Sequence, residues 1–195
     1  MKKFLIILVI IVGILLLIPA LMPKDFSVER QVVINRPLEM VFSFVKSLKG
    51  QDNWSVWGSM DPDMKKEYRG EDGTVGFVSA WEGNDDVGKG EQEITGIEEN
   101  KRVDFELRFI EPWEATNQAW ISVDPAPDNA TTVRWGITGK MPYPMNAMML
   151  FMNMEESIGN DFEQGLLNLK RLVESLPVVP EVNTELEGQA EGMGE

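Results

Sequence analysis

The stretch Arg102–Phe109, RVDFELRF, carries the clearest signal in the chain. Val103, Phe105, Leu107 and Phe109 alternate with Asp104, Glu106 and Arg108. A period of two puts the apolar residues on one face of a strand and the charges on the other. Such a strand belongs to an antiparallel sheet with one face buried. Outward from it the pattern recurs at Lys65–Tyr68, Thr74–Trp81, Gly88–Ile97, Ala115–Val123 and Thr131–Thr138. Turn signals such as Gly70-Glu71-Asp72-Gly73, Glu98-Glu99-Asn100 and Pro125–Asn129 separate these runs, so consecutive hairpins are expected. Phe26–Ile34 (FSVERQVVI) reads as an earlier strand, closed by Asn35-Arg36-Pro37. Pro37 suits a helix start, and Val41, Phe42, Phe44, Val45 and Leu48 give a short amphipathic helix. Trp54 and Trp57, in DNWSVWG, read as a second short helix or turn.

The apolar sheet face needs a cover. After Pro142-Tyr143-Pro144 no breaker occurs before Pro177, which predicts one helix over 144–176, about 33 residues and roughly 50 Å. Its inward stripe is Ala147, Phe151, Met154, Ile158, Phe162, Gly165, Leu169, Val173 and Leu176. Gly165 on that stripe costs about 1 kcal/mol relative to alanine. It marks either a close approach of helix to sheet or room for a ligand. Met145, Met149 and Met152 face away from the stripe, either under a neighbouring loop or as an exposed soft patch.

The ends differ from this body in composition. Phe4–Met22, FLIILVIIVGILLLIPALM, is uncharged and at helical rise reaches about 28 Å, close to a bilayer core. Its length favours an uncleaved anchor over a secretory signal, and Lys2 and Lys3 favour a body outside the cytoplasm. Three parts result: a membrane anchor at 1–23, a globular body at 24–176 and an acidic tail at 177–195 that is expected to be disordered. Of the 195 residues, 18 are Lys or Arg and 32 are Asp or Glu, a net charge of -14. The tail supplies five glutamates and no base, and the body has a net charge of -11. This acidity argues against a nucleic-acid partner. There is no histidine and no cysteine, which excludes His- or Cys-based catalysis, Cys/His zinc sites, His-held haem and disulfides.

The order strand, two short helices, six strands and long helix resembles the SRPBCC (START-like, helix-grip) superfamily. The likeness is closest to its polyketide cyclase/dehydrase-like branch. The residues that carry it are FSVERQVVINRPLEMVFSFV (26–45), DNWSVWG (52–58), GTVGFVSAWEGN (73–84), VGKGEQEITGIEENKRVDFELRF (87–109), TTVRWGITGKMPYP (131–144) and the final helix. The resemblance implies an α+β helix-grip fold, a curved antiparallel sheet of about seven strands wrapped on the long C-terminal helix. It also implies an apolar cavity that takes a hydrophobic small molecule or lipid. Mapped here, the cavity walls are Phe77, Trp81, Phe105, Leu107, Phe109, Trp135, Phe151, Met154, Ile158 and Phe162, all of them equally suited to a solid core. Ser79 and Gln92 are expected to point inward and orient a ligand by hydrogen bonds.

Three functions compete. A membrane-tethered, non-catalytic binding or carrier domain uses the anchor, the fold and the cavity together. An enzyme of cyclase, dehydratase or hydrolase type would need inward carboxylates, with Glu82 and Glu91 the ambiguous strand positions. A protein-interaction module would use the Met145/Met149/Met152 face. Binding is favoured, with no catalytic residue, metal or cofactor expected.

Overall fold

The computed structural model describes residues 2–150 and 153–177; in the first helix the side chains of 2, 8–12 and 14–16 fall outside that description. The apolar run folds as helix α1 (Lys2–Leu21). Among the described residues no helix is long and apolar enough to cross a membrane. The acidic tail beyond Pro177 lies outside the described residues.

Seven strands follow: β1 (Asp25–Ile34), β2 (Lys65–Arg69), β3 (Val78–Glu82), β4 (Lys89–Glu98), β5 (Arg102–Glu111), β6 (Ala115–Ala126) and β7 (Ala130–Lys140). They form one antiparallel sheet in the order β1-β7-β6-β5-β4-β3-β2. The hairpin run β2 to β7 is the one expected from period two, and β1 closes the sheet beside β7. β3 starts at Val78 and not at Thr74. Gly73 and Gly76 have φ of 74° and 89°, so the chain turns there before it can extend.

Between β1 and β2 lie α2 (Leu38–Lys46) and the single turn α3 (Leu48–Gln51). Asp72 starts α3: its carboxylate accepts from the Leu48 amide at 2.9 Å and from the Ser47 hydroxyl, and Ser47 Oγ accepts from the Gly50 amide at 2.8 Å. These bonds satisfy amide donors that a helix start leaves unpaired. Trp54 follows α3 and is buried, and Trp57 opens a 3-10 turn.

The long C-terminal helix is shorter than its sequence suggests. Met145–Leu150 forms 3-10 turns, and the α-helix, α4, is Met154–Glu174, 21 residues in place of about 33. Asn153 is the reason. Its side chain accepts from the Glu156 amide at 3.2 Å and donates to the Glu156 carboxylate at 3.1 Å, a reciprocal cap. Glu155 and Glu156 then complement the positive end of the helix. At the other end Arg36 donates to the carbonyls of Glu174 and Leu176, so α4 is pinned to the corner after β1.

α4 lies over β1 and meets β7 more lightly, while α2 packs on β6 and β7. Phe162, Gly165, Leu169 and Val173 of the expected stripe are buried, joined by Gly159 and Leu166; Met154, Ile158 and Leu176 are half-buried. Gly165 marks a close approach. A Cβ there would lie 2.9 Å from Trp135 Cζ3. Trp135 stacks on Phe162 at 4.3 Å between centroids and meets Trp54 and Trp57 edge-on at 5.1 and 5.7 Å. One indole thereby joins β7, α4 and the loop after α3. Gly165→Leu is expected to destabilise the fold by about 1–3 kcal/mol, the usual range for overpacking, read as a lower midpoint in urea denaturation.

Candidate functional site

Strand register divides the inner face of the sheet into cross-strand rows. One row contains Val28, Ile137, Ala119, Phe105 and Ile94, and Phe77 joins it where the Ile94 amide donates to the Phe77 carbonyl at 2.9 Å. Every member of that row is buried. The next row, one step toward the start of β1, contains Phe26, Gly139, Asn117, Leu107, Gln92, Ser79 and Tyr68, one residue from each strand. Here only Asn117 is buried; Tyr68 is 37% exposed and the rest are half-buried. Beyond it Phe109, Gly90, Trp81 and Lys66 continue the open region. The cause is the placement of the helices. α4 and α2 pack on β1, β7 and β6, which leaves the inner face of β2 to β5 near this end of the sheet as a half-exposed strip, the groove.

The groove is apolar on one side and polar on the other. Trp81 meets Phe109 edge-on at 5.9 Å and rests over Gly90, where a Cβ would come within 2.6 Å of the indole. At the β2 edge, Tyr68 Oη donates to Asp52 Oδ2 at 2.7 Å, and Lys66 pairs with the other oxygen of Asp52. Gln92 donates to Gln51 Oε1 at 3.4 Å. Desolvation first, and then the bond to Asp52, push the Tyr68 hydroxyl up to about 12. It therefore stays a neutral donor through the physiological range.

At the opposite end of the row Phe26 leads into an open recess of about 530 Å³, lined by the apolar Pro23, Val28, Met149, Leu150 and Met154 and by the polar Asp25, Ser27, Asn153 and Glu155. Between recess and groove sits Asn117, 8% exposed, whose Oδ1 has no hydrogen-bond partner. That oxygen is packed against Gly139, and a buried acceptor left unpaired is a cost to the fold.

The site residues proposed from sequence separate in the structure. Phe77, Phe105, Trp135 and Phe162 are buried and fill the core. Ser79, Trp81, Gln92, Leu107 and Phe109 share the half-open groove; Met154 lines the recess and Ile158 packs at the core margin. Phe151 and Met152 lie outside the described residues. Met145 and Met149 are half-buried, and their segment packs on α1. Asn117, Tyr68, Lys66 and Asp52 were missed. Asn117 was legible, because it alternates with Ala119, Ile121 and Val123; Asp52 was not, because its role depends on a loop folding back on β2.

The two ambiguous carboxylates point outward. Glu82 is held below the usual carboxylate range by Lys89 and Lys65. Glu91 is lowered by hydrogen bonds from Arg69 and Arg108, within a network in which Arg108 also binds Glu93 and Glu106. Asp161 on α4 is shifted the other way, raised by burial.

Tyr68 gives a titration test. An unfolded tyrosine ionises near pH 10, so the unfolded chain loses this proton first. Stability should fall as pH rises from about 10 toward the folded value near 12. In a Tyr143→Phe background, ultraviolet titration should follow Tyr68 alone, and Asp52→Asn should bring its ionisation to lower pH. An unchanged titration would remove Asp52 as a cause.

Comparison with known proteins agrees with this architecture. The family described as "Polyketide cyclase / dehydrase and lipid transport" matches residues 25–174. A search of curated proteins gave no match. Among solved structures, a protein from Nitrosospira multiformis is 17% identical with a TM-score of 0.56, covering 77% of this chain and 97% of that one. The Aha1 dimer from Colwellia psychrerythraea is 16% identical with a TM-score of 0.55, covering 77% and 97%. Ara h 8.0201 is 14% identical with a TM-score of 0.54, covering 78% and 99%. At these identities the likeness describes the fold. The family match spans nearly the whole body, and the chain belongs to the polyketide cyclase/dehydrase and lipid-transport family of the SRPBCC superfamily.

Proposed function

We propose that this chain is a membrane-tethered, non-catalytic binding or carrier domain for a hydrophobic small molecule or lipid. The observation that carries the reading is the half-open row from Phe26 to Tyr68, in which Phe26 and Leu107 share the floor with Asn117, Gln92 and Ser79, with Trp81 and Phe109 beside it and the Asp52–Tyr68 pair at its edge. An apolar floor with a few placed polar groups is the usual chemistry of a small-molecule site. The ligand class is therefore amphipathic, with its apolar body on Leu107, Trp81 and Phe109 and its polar end toward Gln92 and Ser79. The outward, ion-paired state of Glu82 and Glu91 supports binding over acid/base chemistry.

The tether rests on α1. The full sequence of this segment is uncharged from Phe4 to Met22, a run that at helical rise reaches about 28 Å, close to a bilayer core. Lys2 and Lys3 at its start support an orientation with the body outside the cytoplasm. A reporter active only outside the cytoplasm, fused after Glu195, should therefore be active; a silent reporter with full expression would reverse the orientation.

Ligand binding is tested on the full chain in detergent. Native mass spectrometry should find a co-purifying amphiphile, and a fluorescent long-chain fatty acid should bind and be displaced by it. Leu107→Trp should block the groove. Gln92→Leu should weaken binding about tenfold, the loss of one hydrogen bond worth about 1–1.5 kcal/mol. A folded chain that carries no amphiphile and binds no probe would sink the reading.

A further inference from the structure

The strand register gathers one set of chain ends together. The start of β1, the end of β7, the start of β6 and the end of β5 lie side by side, with Asp25 opposite Lys140 and Ala115 opposite Phe109. α1 leaves the body from this end. The Met141 amide donates to the Lys24 carbonyl at 2.8 Å, and the fully buried Asn146 donates from Nδ2 to the Pro19 carbonyl at 2.7 Å. Asn146 thus ties the last turns of α1 to the segment Met145–Leu150.

Exposed apolar side chains collect at the same end. Trp113, in the β5–β6 connection, is 61% exposed; Tyr143, just after β7, is 44% exposed; Leu150 is 55% exposed. Tryptophan and tyrosine are the side chains that suit a membrane–water boundary. Charges of both signs ring this end: Lys24, Lys65, Lys89 and Lys140 stand among Asp25, Glu82, Glu111 and Glu114, with Asp85 and Asp86 in the β3–β4 turn, so no basic patch draws this end to acidic lipid.

We propose that this end of the body rests on the surface of a zwitterionic bilayer through Trp113, Tyr143 and Leu150, with the mouth of the groove at the headgroup layer. The open rows of the inner face, through Phe26 and Phe109, are those nearest this end, so a ligand could pass between bilayer and groove without crossing water. The inference rests on the tether proposed above and adds to it a fixed posture and a lipid preference. The contact is apolar and aromatic, so it resists salt and gains nothing from anionic lipid.

The lack of cysteine makes the test direct. Trp113→Cys, Tyr143→Cys and, as a control at the far end of the sheet, Val75→Cys are each labelled with an environment-sensitive fluorophore. The full chain is reconstituted in phosphatidylcholine vesicles containing lipid with a quencher near the headgroup. Labels at 113 and 143 should be quenched several-fold more than the label at 75, equally in low and high salt, and no more strongly when phosphatidylserine is added. Equal, weak quenching at all three sites on a chain that floats with the vesicles would overturn the posture and leave the tether standing. Quenching that grows with phosphatidylserine or vanishes in salt would overturn the zwitterionic, apolar contact. A chain that fails to float with vesicles would remove the tether, and this inference with it.

Discussion

The packing of Trp135 against Gly165 is the constraint on which the rest of the structure depends. The missing side chain lets α4 come down onto β7, and the indole fills the space so made. The same ring holds Trp54 and Trp57 edge-on, so the loop after α3 is fixed by the contact that seats the helix. A few groups then complete the alignment. Arg36 holds the C-terminal end of α4, and the Arg30 guanidinium occupies the space above Gly159 while pairing with Glu155 at 2.8 Å. A helix pinned over β1 and β7 cannot also shelter β3 and β4. The openness of the groove follows from where the helix is held.

Burial across the sheet shows that constraint at the level of single residues. Phe77 and Ser79 both face inward from neighbouring positions on one segment, yet Phe77 is fully buried and Ser79 is not. Ile94 and Gln92 differ in the same way on β4. Side-chain chemistry tracks the change: the sealed row is entirely apolar, and polar groups enter the row beside it. The Arg108 network works on the other face, where Glu91, Glu93 and Glu106 share one guanidinium and the carboxylates of neighbouring strands are kept from repelling one another.

Much of this was legible in the sequence. The alternation in Arg102–Phe109 and Thr131–Thr138 identified the buried face, and the turn residues between runs gave the hairpins. The last helix is shorter than the distance between Pro144 and Pro177 implies, because a cap at Asn153 starts it without any proline or glycine to mark the place. Asn153-Met154-Glu155-Glu156 has the spacing of a reciprocal cap, so the boundary was present in the residues. The division of inward residues into core and groove was not legible. Phe105 and Leu107 obey the same period on one strand, and only the placement of α4 and α2 separates them. The Asp52–Tyr68 pair depends on a loop 16 residues away returning to β2, a relation that no local pattern records.

The open row runs across the strands and not along one of them. Each strand contributes a single side chain to the floor, while its backbone bonds and its outward face are committed elsewhere. Selectivity can therefore drift one position at a time: a change at 79, 92 or 107 alters one tile of the surface and leaves register, turns and core as they were. A floor built along one strand would lack that freedom, since successive substitutions there would fall on neighbours sharing the same hydrogen-bonded segment. The architecture thus offers a modular route by which descendants of one scaffold come to hold differently shaped molecules.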